Sequence, residues 1–103
     1  MEKFDLRENE RLIGKEYASH ITKLLVFPQA NPGKLFVTNQ RVAFKVTQGR
    51  VHTEFEYPLS ELQSFSPGMA LVLRLKDGKS HKLTGMYNKK LASYLEEAGV
   101  AKG

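Results

Sequence analysis

The fold is decided by one stretch, Pro32-Gly33-Lys34-Leu35-Phe36-Val37-Thr38-Asn39-Gln40-Arg41-Val42-Ala43-Phe44. It predicts two antiparallel strands joined by a two-residue turn at Asn39-Gln40. Pairing across this turn creates an apolar face with two pairs, Val37 with Val42 and Leu35 with Phe44. The opposite face receives Thr38 with Arg41 and Lys34 with Lys45. Because these residues are polar, the second face is predicted to be solvated.

A second turn is indicated at Gln48-Gly49. Pairing across it extends the apolar face with three further pairs, Val46 with Val51, Phe44 with Thr53, and Val42 with Phe55. On the outer face, Arg41 is predicted to lie opposite Glu56. Because both turns bury the same face of the middle strand, the sequence predicts an antiparallel meander.

A third hairpin follows, in which Leu71, Leu73 and Leu75 alternate with more polar residues. A two-residue turn would pair the leucines with Lys82 and Thr84. A three-residue loop at Lys76-Asp77-Gly78, with a left-handed Gly78, instead pairs Leu73 with His81 and Leu71 with Leu83. Burial favours the three-residue loop. It leaves cations on the outer face and tip of this hairpin, namely Arg74, Lys76, Lys79 and Lys82.

The remaining elements are read from local patterns. Arg11 to Ile21 is predicted to be a strand with a bulge at Gly14. Residues 22–31 are ambiguous, and the Pro28–Gly33 segment is typical of a loop. A short fifth strand is expected from Leu62 to Phe65. The last element is a helix with one apolar stripe, formed by Tyr87, Leu91, Tyr94, Leu95 and Ala98. Asn88 is its expected N-cap and Gly99 its end.

Length and composition restrict the class of protein. A chain of 103 residues with 41% hydrophobic and 26% charged residues predicts a single globular domain over residues 1–103. The absence of Cys excludes disulfides and Cys-ligated zinc. The first residues lack the apolar stretch of a signal peptide. We therefore expect a soluble, cytoplasmic protein, with peripheral contact at the inner membrane face as an open alternative.

The hairpin Gly-Lys-Leu-Phe-Val-Thr-Asn-Gln-Arg-Val-Ala-Phe, together with Tyr57-Pro58-Leu59-Ser60-Glu61-Leu62, resembles the GRAM domain of the pleckstrin-homology-like superfold. The resemblance extends from about Leu12 to Gly99. It implies a mainly β fold, a seven-stranded antiparallel barrel or sandwich capped by a C-terminal α-helix. It also implies a non-catalytic module that binds membranes or proteins, often through anionic lipid head groups. Related single-domain proteins of this length are typical of bacteria.

The resemblance does not extend to tight phosphoinositide binding. Pleckstrin-homology domains with that activity carry a Lys/Arg-x-Arg cluster around their first two strands. The corresponding region of this chain offers four isolated cations instead, namely Lys15, Lys23, Lys34 and Arg41. We therefore expect charge-based recognition of head groups rather than stereospecific recognition of one inositol phosphate.

Catalysis has little support in the sequence. His20, His52 and His81 are isolated, without His-x-x-x-His or Glu-x-x-His spacing for a metal. In each of Ser19-His20 and Ser80-His81 the side chains point to opposite faces of a strand, which prevents a nucleophile–base pair. No glycine-rich phosphate loop is present. We expect no catalytic residues, no metal and no cofactor, and we expect His81 to have a structural role.

Anion binding is the sharper hypothesis. The net charge of +5 favours phosphate-bearing partners, although a charged solubilising surface is an equal alternative. Two groups of cations are candidate anion- or lipid-binding residues. The first is on the third hairpin, and the second is in the first turn of the helix, where a cation opposes the macrodipole. Together they are Arg74, Lys76, Lys79, Lys82, Lys89 and Lys90.

Three other partners were weighed against this interpretation. Leu24-Leu25-Val26-Phe27 could insert into a membrane, although such a run is more often a buried strand. Phe36 and Ala43, on the predicted outer face, could mark a protein contact or a self-association surface. Nucleic acid is not expected, because no aromatic residue is interleaved with the cations between Arg74 and Lys82. The sequence leaves the choice between a lipid and a protein partner open, and the oligomeric state unknown.

Overall fold

The computed structural model describes residues 5–24 and 27–103. Seven antiparallel strands form one sheet, and one helix follows them. The strands are β1 (Leu12–Leu24), β2 (Phe27–Thr38), β3 (Arg41–Val46), β4 (His52–Pro58), β5 (Leu62–Ser66), β6 (Ala70–Leu75) and β7 (Ser80–Thr84). A 3-10 turn, Leu59–Glu61, links β4 to β5, and the helix α1 spans Asn88–Glu97. The spatial order is β4-β3-β2-β1-β7-β6-β5. The prediction of seven strands and a C-terminal helix is confirmed, but the sheet does not close into a barrel, because β4 and β5 are its two edges.

The buried face of the sheet agrees with the first and third predicted hairpins. Leu35 pairs with Phe44 across β2 and β3, and Val37 pairs with Val42. Leu73 lies opposite His81 and Leu71 opposite Leu83, as the three-residue loop requires. Gly78 has the expected positive φ of 94°. All nine residues predicted to be inaccessible are buried, namely Leu35, Val37, Val42, Phe44, Val46, Phe55, Leu71, Leu73 and Leu83.

The register predicted across Gln48-Gly49 is wrong. Val46 pairs with His52 rather than Val51, and Phe44 pairs with Phe55 rather than Thr53. The connection between β3 and β4 is five residues long. In addition, Glu54 is the extra residue of a β-bulge, which lies between the Lys45–Thr53 and Phe44–Phe55 pairs. This bulge changes which side chains of β4 face inward. Arg41 and Glu56 still form an ion pair of 3.1 Å, although Glu56 lies opposite Ala43.

The outer face of the first hairpin is not solvated, contrary to the prediction. Thr38 and Arg41 are buried, and so are Phe36 and Ala43, which therefore do not form the exposed contact surface considered above. Residues 5–10, ahead of β1, supply part of the cover, because the buried Glu10 carboxylate binds both Thr38 and Arg41. A pattern read from a single hairpin does not reveal a segment that packs on its other side.

The Pro28–Gly33 segment is part of β2 and not a loop. It pairs with β1 throughout, with Pro28 opposite Lys23 and Pro32 opposite Ser19. On its other side, the pairing with β3 begins only at Gly33. Proline lacks an N–H group but is tolerated where one edge of a strand has no ladder. The free edge of β2 therefore accommodates both prolines.

The helix α1 packs its apolar stripe on the sheet. Leu91 and Leu95 are inaccessible, and Tyr94 packs against the same core. Gly99 ends the helix with a φ of 91°, as predicted. The N-cap prediction is wrong, because the N-cap position is Tyr87 and Asn88 is the first helical residue. The Asn88 side chain turns inward and donates a hydrogen bond of 3.2 Å to the Leu83 carbonyl oxygen.

No helix of the described residues is long and apolar enough to cross a bilayer.

Candidate functional site at the loop end of the sheet

Three chain connections lie at one end of the sheet, which we call the loop end. β1 runs antiparallel to β7, and the register Ser19–Thr84, His20–Leu83, Ile21–Lys82 carries the end of β1 toward the β6–β7 loop. The β3–β4 connection leaves β3 at Val46, on the same side of the sheet. The helix α1 follows β7 at the opposite end, which we call the helix end.

The β6–β7 loop presents cations to solvent at the loop end. Lys76 and Lys79 are exposed, and no carboxylate of the described residues pairs with either ammonium group. The Asp77 carboxylate instead accepts a hydrogen bond of 2.9 Å from the backbone N–H of Lys79. Lys82 is also exposed, on the outer face of β7. This hairpin therefore carries three exposed lysines and one aspartate.

The neighbouring β1–β2 hairpin presents apolar surface at the same end. Phe27 opens β2 and is 69% exposed, and Pro28, Gln29 and Ala30 are exposed after it. The interpretation of the Leu24–Phe27 run as a buried strand is therefore wrong at Phe27, while Leu25 and Val26 lie outside the described residues. The loop end therefore presents an exposed aromatic ring and unpaired lysines, which match the apolar and anionic parts of a lipid surface.

Beneath the loop end, a chain of hydrogen-bonded side chains crosses the interior. His20 Nδ1 lies 2.5 Å from Glu54 Oε2, and His20 Nε2 lies 3.0 Å from His81 Nδ1. His81 Nε2 lies 2.8 Å from the Tyr57 hydroxyl, and Asn31 donates a bond of 2.9 Å to Glu54 Oε1. We call His20, His81, Glu54 and Tyr57 the histidine relay. Two histidines that are isolated in the sequence are thus in direct contact.

Aromatic rings enclose the relay. His81 stacks on Phe55 with ring centroids 4.4 Å apart, and His20 meets Phe55 edge-on at 5.1 Å. Burial is the main cause that lowers the pKa of His81 below its ordinary value, and it raises the pKa of Tyr57. The described residues contain no group of three or more His, Asp or Glu side chains arranged to hold a metal.

The six predicted anion-binding residues fall into separate places. Lys76 and Lys79 flank the loop end, and Lys82 lies on the outer face of the same hairpin. Arg74 lies near the C-terminal residue Gly103. Its guanidinium donates to the Ser66 hydroxyl and lies near the Gly103 carbonyl oxygen. Lys89 and Lys90 lie in the first turn of α1 at the helix end, separated from the loop end by the length of β7, about 16 Å. The structure therefore does not bring all six into one site.

The cations of the first two strands and the turn fall into two groups. Lys34 lies over the Tyr17 ring at 4.6 Å, and Lys15 lies 5.9 Å from the centroid of Phe36. Arg41 is buried and forms an ion pair with Glu10. Lys15 and Lys34 lie on one face of the β1–β2 pair, whereas Arg41 lies at the β2–β3 turn.

The Thr-Asn-Gln-Arg turn has a structural role that sequence reasoning missed. Thr38 donates to Glu10 at 2.6 Å and accepts from the backbone N–H groups of Gln40 and Arg41 at 3.0 Å. Asn39 accepts a bond of 2.8 Å from the backbone N–H of Arg11. The turn thus fastens the segment that precedes β1. The sequence does contain a signal for this role. Every residue of the turn has a hydrogen-bonding side chain, although a two-residue turn forms without such side chains.

A shallow groove of about 420 Å³ crosses the outer side of β1 and β2. Tyr17 and Met86 line it and are 56% and 85% exposed. Pro32, Gly33 and Tyr87 complete its apolar part. Thr47 and Gln48 of the β3–β4 connection also line this groove, which is a second candidate binding surface.

Comparison with known proteins agrees with the fold and the turn. A family model described as the GRAM domain matches residues 1–82, about four-fifths of the chain. The chain belongs to the GRAM domain family. A search of curated proteins found no match.

Solved structures show the same fold at low sequence identity. The C-terminal domain of an unknown protein from Leishmania infantum superposes with a TM-score of 0.71 at 16% identity, over 88% of this chain and 85% of that one. The DH/PH domains of p115-RhoGEF, as the R399E mutant, superpose with a TM-score of 0.67 at 11% identity. That match covers 91% of this chain and 32% of the other. This chain therefore has a pleckstrin-homology-like fold. The GRAM family to which it belongs consists generally of lipid- or protein-binding modules.

Proposed function

We propose that this GRAM domain is a peripheral membrane-binding module that docks its loop end on anionic phospholipid head groups. The observation that carries the proposal is the exposure of Phe27 on the β1–β2 hairpin at the same end of the sheet as the unpaired Lys76 and Lys79 on the adjacent β6–β7 hairpin. In this arrangement the lysines meet phosphate groups and the phenyl ring enters the boundary between head groups and acyl chains.

The expected interaction is of moderate strength. Each lysine near an acidic membrane contributes about 1 kcal/mol, so Lys76, Lys79 and Lys82 together contribute about 3 kcal/mol. Burial of one Phe side chain adds about 2 kcal/mol. Most of this free energy is electrostatic attraction between lipid phosphates and solvent-exposed lysines. Binding should therefore weaken strongly between low and physiological salt.

Vesicle co-sedimentation tests the proposal. The protein is mixed with vesicles of phosphatidylcholine alone or with 30% phosphatidylglycerol, at about 20 mM and 200 mM salt. We expect binding only to the anionic vesicles, stronger at the lower salt. Failure to bind anionic vesicles at low salt, or equal binding to both compositions, would exclude the proposal.

The groove beside Tyr17 supports a second candidate function, protein binding. Exposed Tyr and Met side chains are common in protein interfaces, and neither Phe27 nor the lysines of the loop end line the groove. Substitution of Tyr17 by Ala should leave vesicle binding unchanged. If it abolishes an association of the chain with itself, measured by analytical ultracentrifugation, protein binding becomes the better supported function.

A further inference from the structure

The histidine relay connects strands that are not neighbours in the sheet. Glu54 and Tyr57 belong to the edge strand β4, whereas His20 and His81 belong to β1 and β7, on the far side of β2 and β3. The bend of the sheet brings these strands face to face, and the bulge at Glu54 turns its carboxylate inward. The relay therefore links β4 to β1 and β7 by side-chain hydrogen bonds beneath the loop end.

The position of each proton follows from the bonding capacity of the partners. An ionised Glu54 carboxylate only accepts, so His20 Nδ1 carries a hydrogen. In neutral His20, Nε2 then accepts from His81 Nδ1–H, and His81 Nε2 accepts from the Tyr57 hydroxyl. All three bonds are satisfied with one proton each, and both imidazoles are neutral.

One further proton can enter without the loss of a bond. It binds His20 Nε2, which becomes the donor to His81 Nδ1. The hydrogen of His81 is then on Nε2 and points to the Tyr57 oxygen, while the hydroxyl hydrogen of Tyr57 rotates away. A second proton would place two N–H groups against each other at 3.0 Å and break the contact between the histidines.

From this geometry we propose that the histidine relay is a one-proton switch that sets the charge of the loop end according to pH. The idea rests on the proposed function, since the added charge lies beneath the hairpin that carries Lys79. Uptake of the proton should strengthen docking on an anionic membrane as the pH falls from 7.5 to 5.5. The contribution of one cation, about 1 kcal/mol, corresponds to a fivefold increase in affinity.

The surrounding charges support a single proton. Glu54 is the carboxylate in contact with the pair, and Asp77 and Glu61 also act on the relay from outside. Lys79 and a charged His20 both oppose a proton on His81. Burial lowers the pKa of His81 below 6.5. The stability that neutral His81 contributes is therefore complete above pH 6.5 and declines as the pH falls, since the unfolded chain binds the proton more tightly.

Nitrogen-15 NMR of the imidazole side chains tests the switch without any lipid. At pH 7.5 we expect His20 and His81 both as Nδ1–H tautomers, with a scalar coupling between His20 Nε2 and His81 Nδ1 across their hydrogen bond. Down to pH 5.5, the pair should bind one proton in total and keep the coupling. Independent uptake of two protons in this range, or the opposite tautomers at pH 7.5, would overturn the proposal.

Vesicle binding then tests the link to the membrane. With phosphatidylglycerol vesicles, the affinity of the unaltered protein should rise about fivefold from pH 7.5 to 5.5. The variant His20→Gln removes the imidazole nitrogen that takes up the proton and keeps an amide that can bond Glu54, so its affinity should rise less. His52→Gln removes an exposed histidine outside the relay and should keep the full increase. Binding that does not depend on pH would overturn the regulatory role, whereas absence of binding at every pH with the expected NMR result would overturn the proposed function alone.

Discussion

Arg41 and Glu10 form a two-pronged ion pair in which Nε lies 2.7 Å from Oε2 and Nη2 lies 2.9 Å from Oε1. The Arg41 side chain is 8% exposed and the Glu10 carboxylate is inaccessible. Arg41 Nη2 also donates to the Asp5 carbonyl oxygen at 2.8 Å. This pair joins residues 5–10 to the Thr-Asn-Gln-Arg turn of the GRAM domain and explains why the turn needs its arginine.

The first prediction concerns this ion pair. Hydrogen bonding to Arg41 is the main cause that lowers the pKa of Glu10 from 4.5 to about 2. The stability that Glu10 contributes should therefore be complete above pH 4.5 and be lost as the pH falls toward 2. Glu10→Gln removes the buried carboxylate that Arg41 contacts through two nitrogen atoms, and should lower the free energy of unfolding by about 3–5 kcal/mol. Urea denaturation at several pH values measures both effects.

Glu8→Gln is the matched control for this experiment. The Glu8 side chain is exposed, and only its backbone carbonyl oxygen accepts a bond, from Gln40. Its unfolding should match that of the unaltered protein. Equal stability of the Glu8 and Glu10 variants would contradict the structural role of the pair.

Much of the fold could be predicted because hairpins are local. The Leu35–Phe44 and Leu73–His81 pairs are fixed by turns only a few residues away, and alternation of apolar residues reports which face is buried. The same reasoning failed at Gln48-Gly49, where a five-residue connection and the bulge at Glu54 shift the register. A bulge adds one residue without a composition signal that distinguishes it from a regular strand.

The histidine relay could not be predicted, because it depends on contacts between distant parts of the chain. His20 and His81 are 61 residues apart and meet only once β1 pairs with β7. Local patterns carry no information on that pairing. The burial of Arg41 has the same origin, since its partner Glu10 precedes the first strand.

The second prediction concerns the close approach of β2 and β3. A Cβ atom at Gly33 would lie 2.1 Å from the Lys45 carbonyl oxygen, so the two backbones must separate to admit any side chain. Gly33→Ala should destabilise the domain by about 3 kcal/mol. At Gly49, nothing lies within 4 Å of the added atom, and only the positive φ of 70° opposes it. Thermal unfolding should show the smaller loss for Gly49→Ala, and the reverse order would contradict the assigned strand contact.

The third prediction concerns the helix. Leu91 and Leu95 fill the core at the helix end of the sheet. A chain that ends at Gly85 exposes this core and should lose cooperative unfolding, as measured by circular dichroism against temperature. Removal of only residues 102 and 103 is the control, and should keep a sharp transition. A sharp transition in the chain that ends at Gly85 would show that the helix is not needed for the core.

The fourth prediction concerns Phe27. The chain contains no Trp, so a single substitution gives a fluorescence probe at a chosen position. The emission of Phe27→Trp should shift to shorter wavelength on addition of phosphatidylglycerol vesicles, because the ring leaves water. Met69→Trp places the probe at a fully exposed position in the β5–β6 turn, at the helix end. Its emission should stay unchanged, and equal shifts at both positions would argue against docking by the loop end.

The most direct test of the account compares two charge reversals that alter net charge equally. One variant carries Lys76→Glu and Lys79→Glu at the loop end, and the other carries Lys89→Glu and Lys90→Glu at the helix end. Each reversed residue replaces an attraction of about 1 kcal/mol by a repulsion of similar size. Co-sedimentation with phosphatidylglycerol vesicles at low salt should therefore show affinity reduced several hundredfold for the loop-end variant and much less for the helix-end variant. Equal losses in the two variants, or a greater loss at the helix end, would contradict membrane docking by the loop end of the sheet.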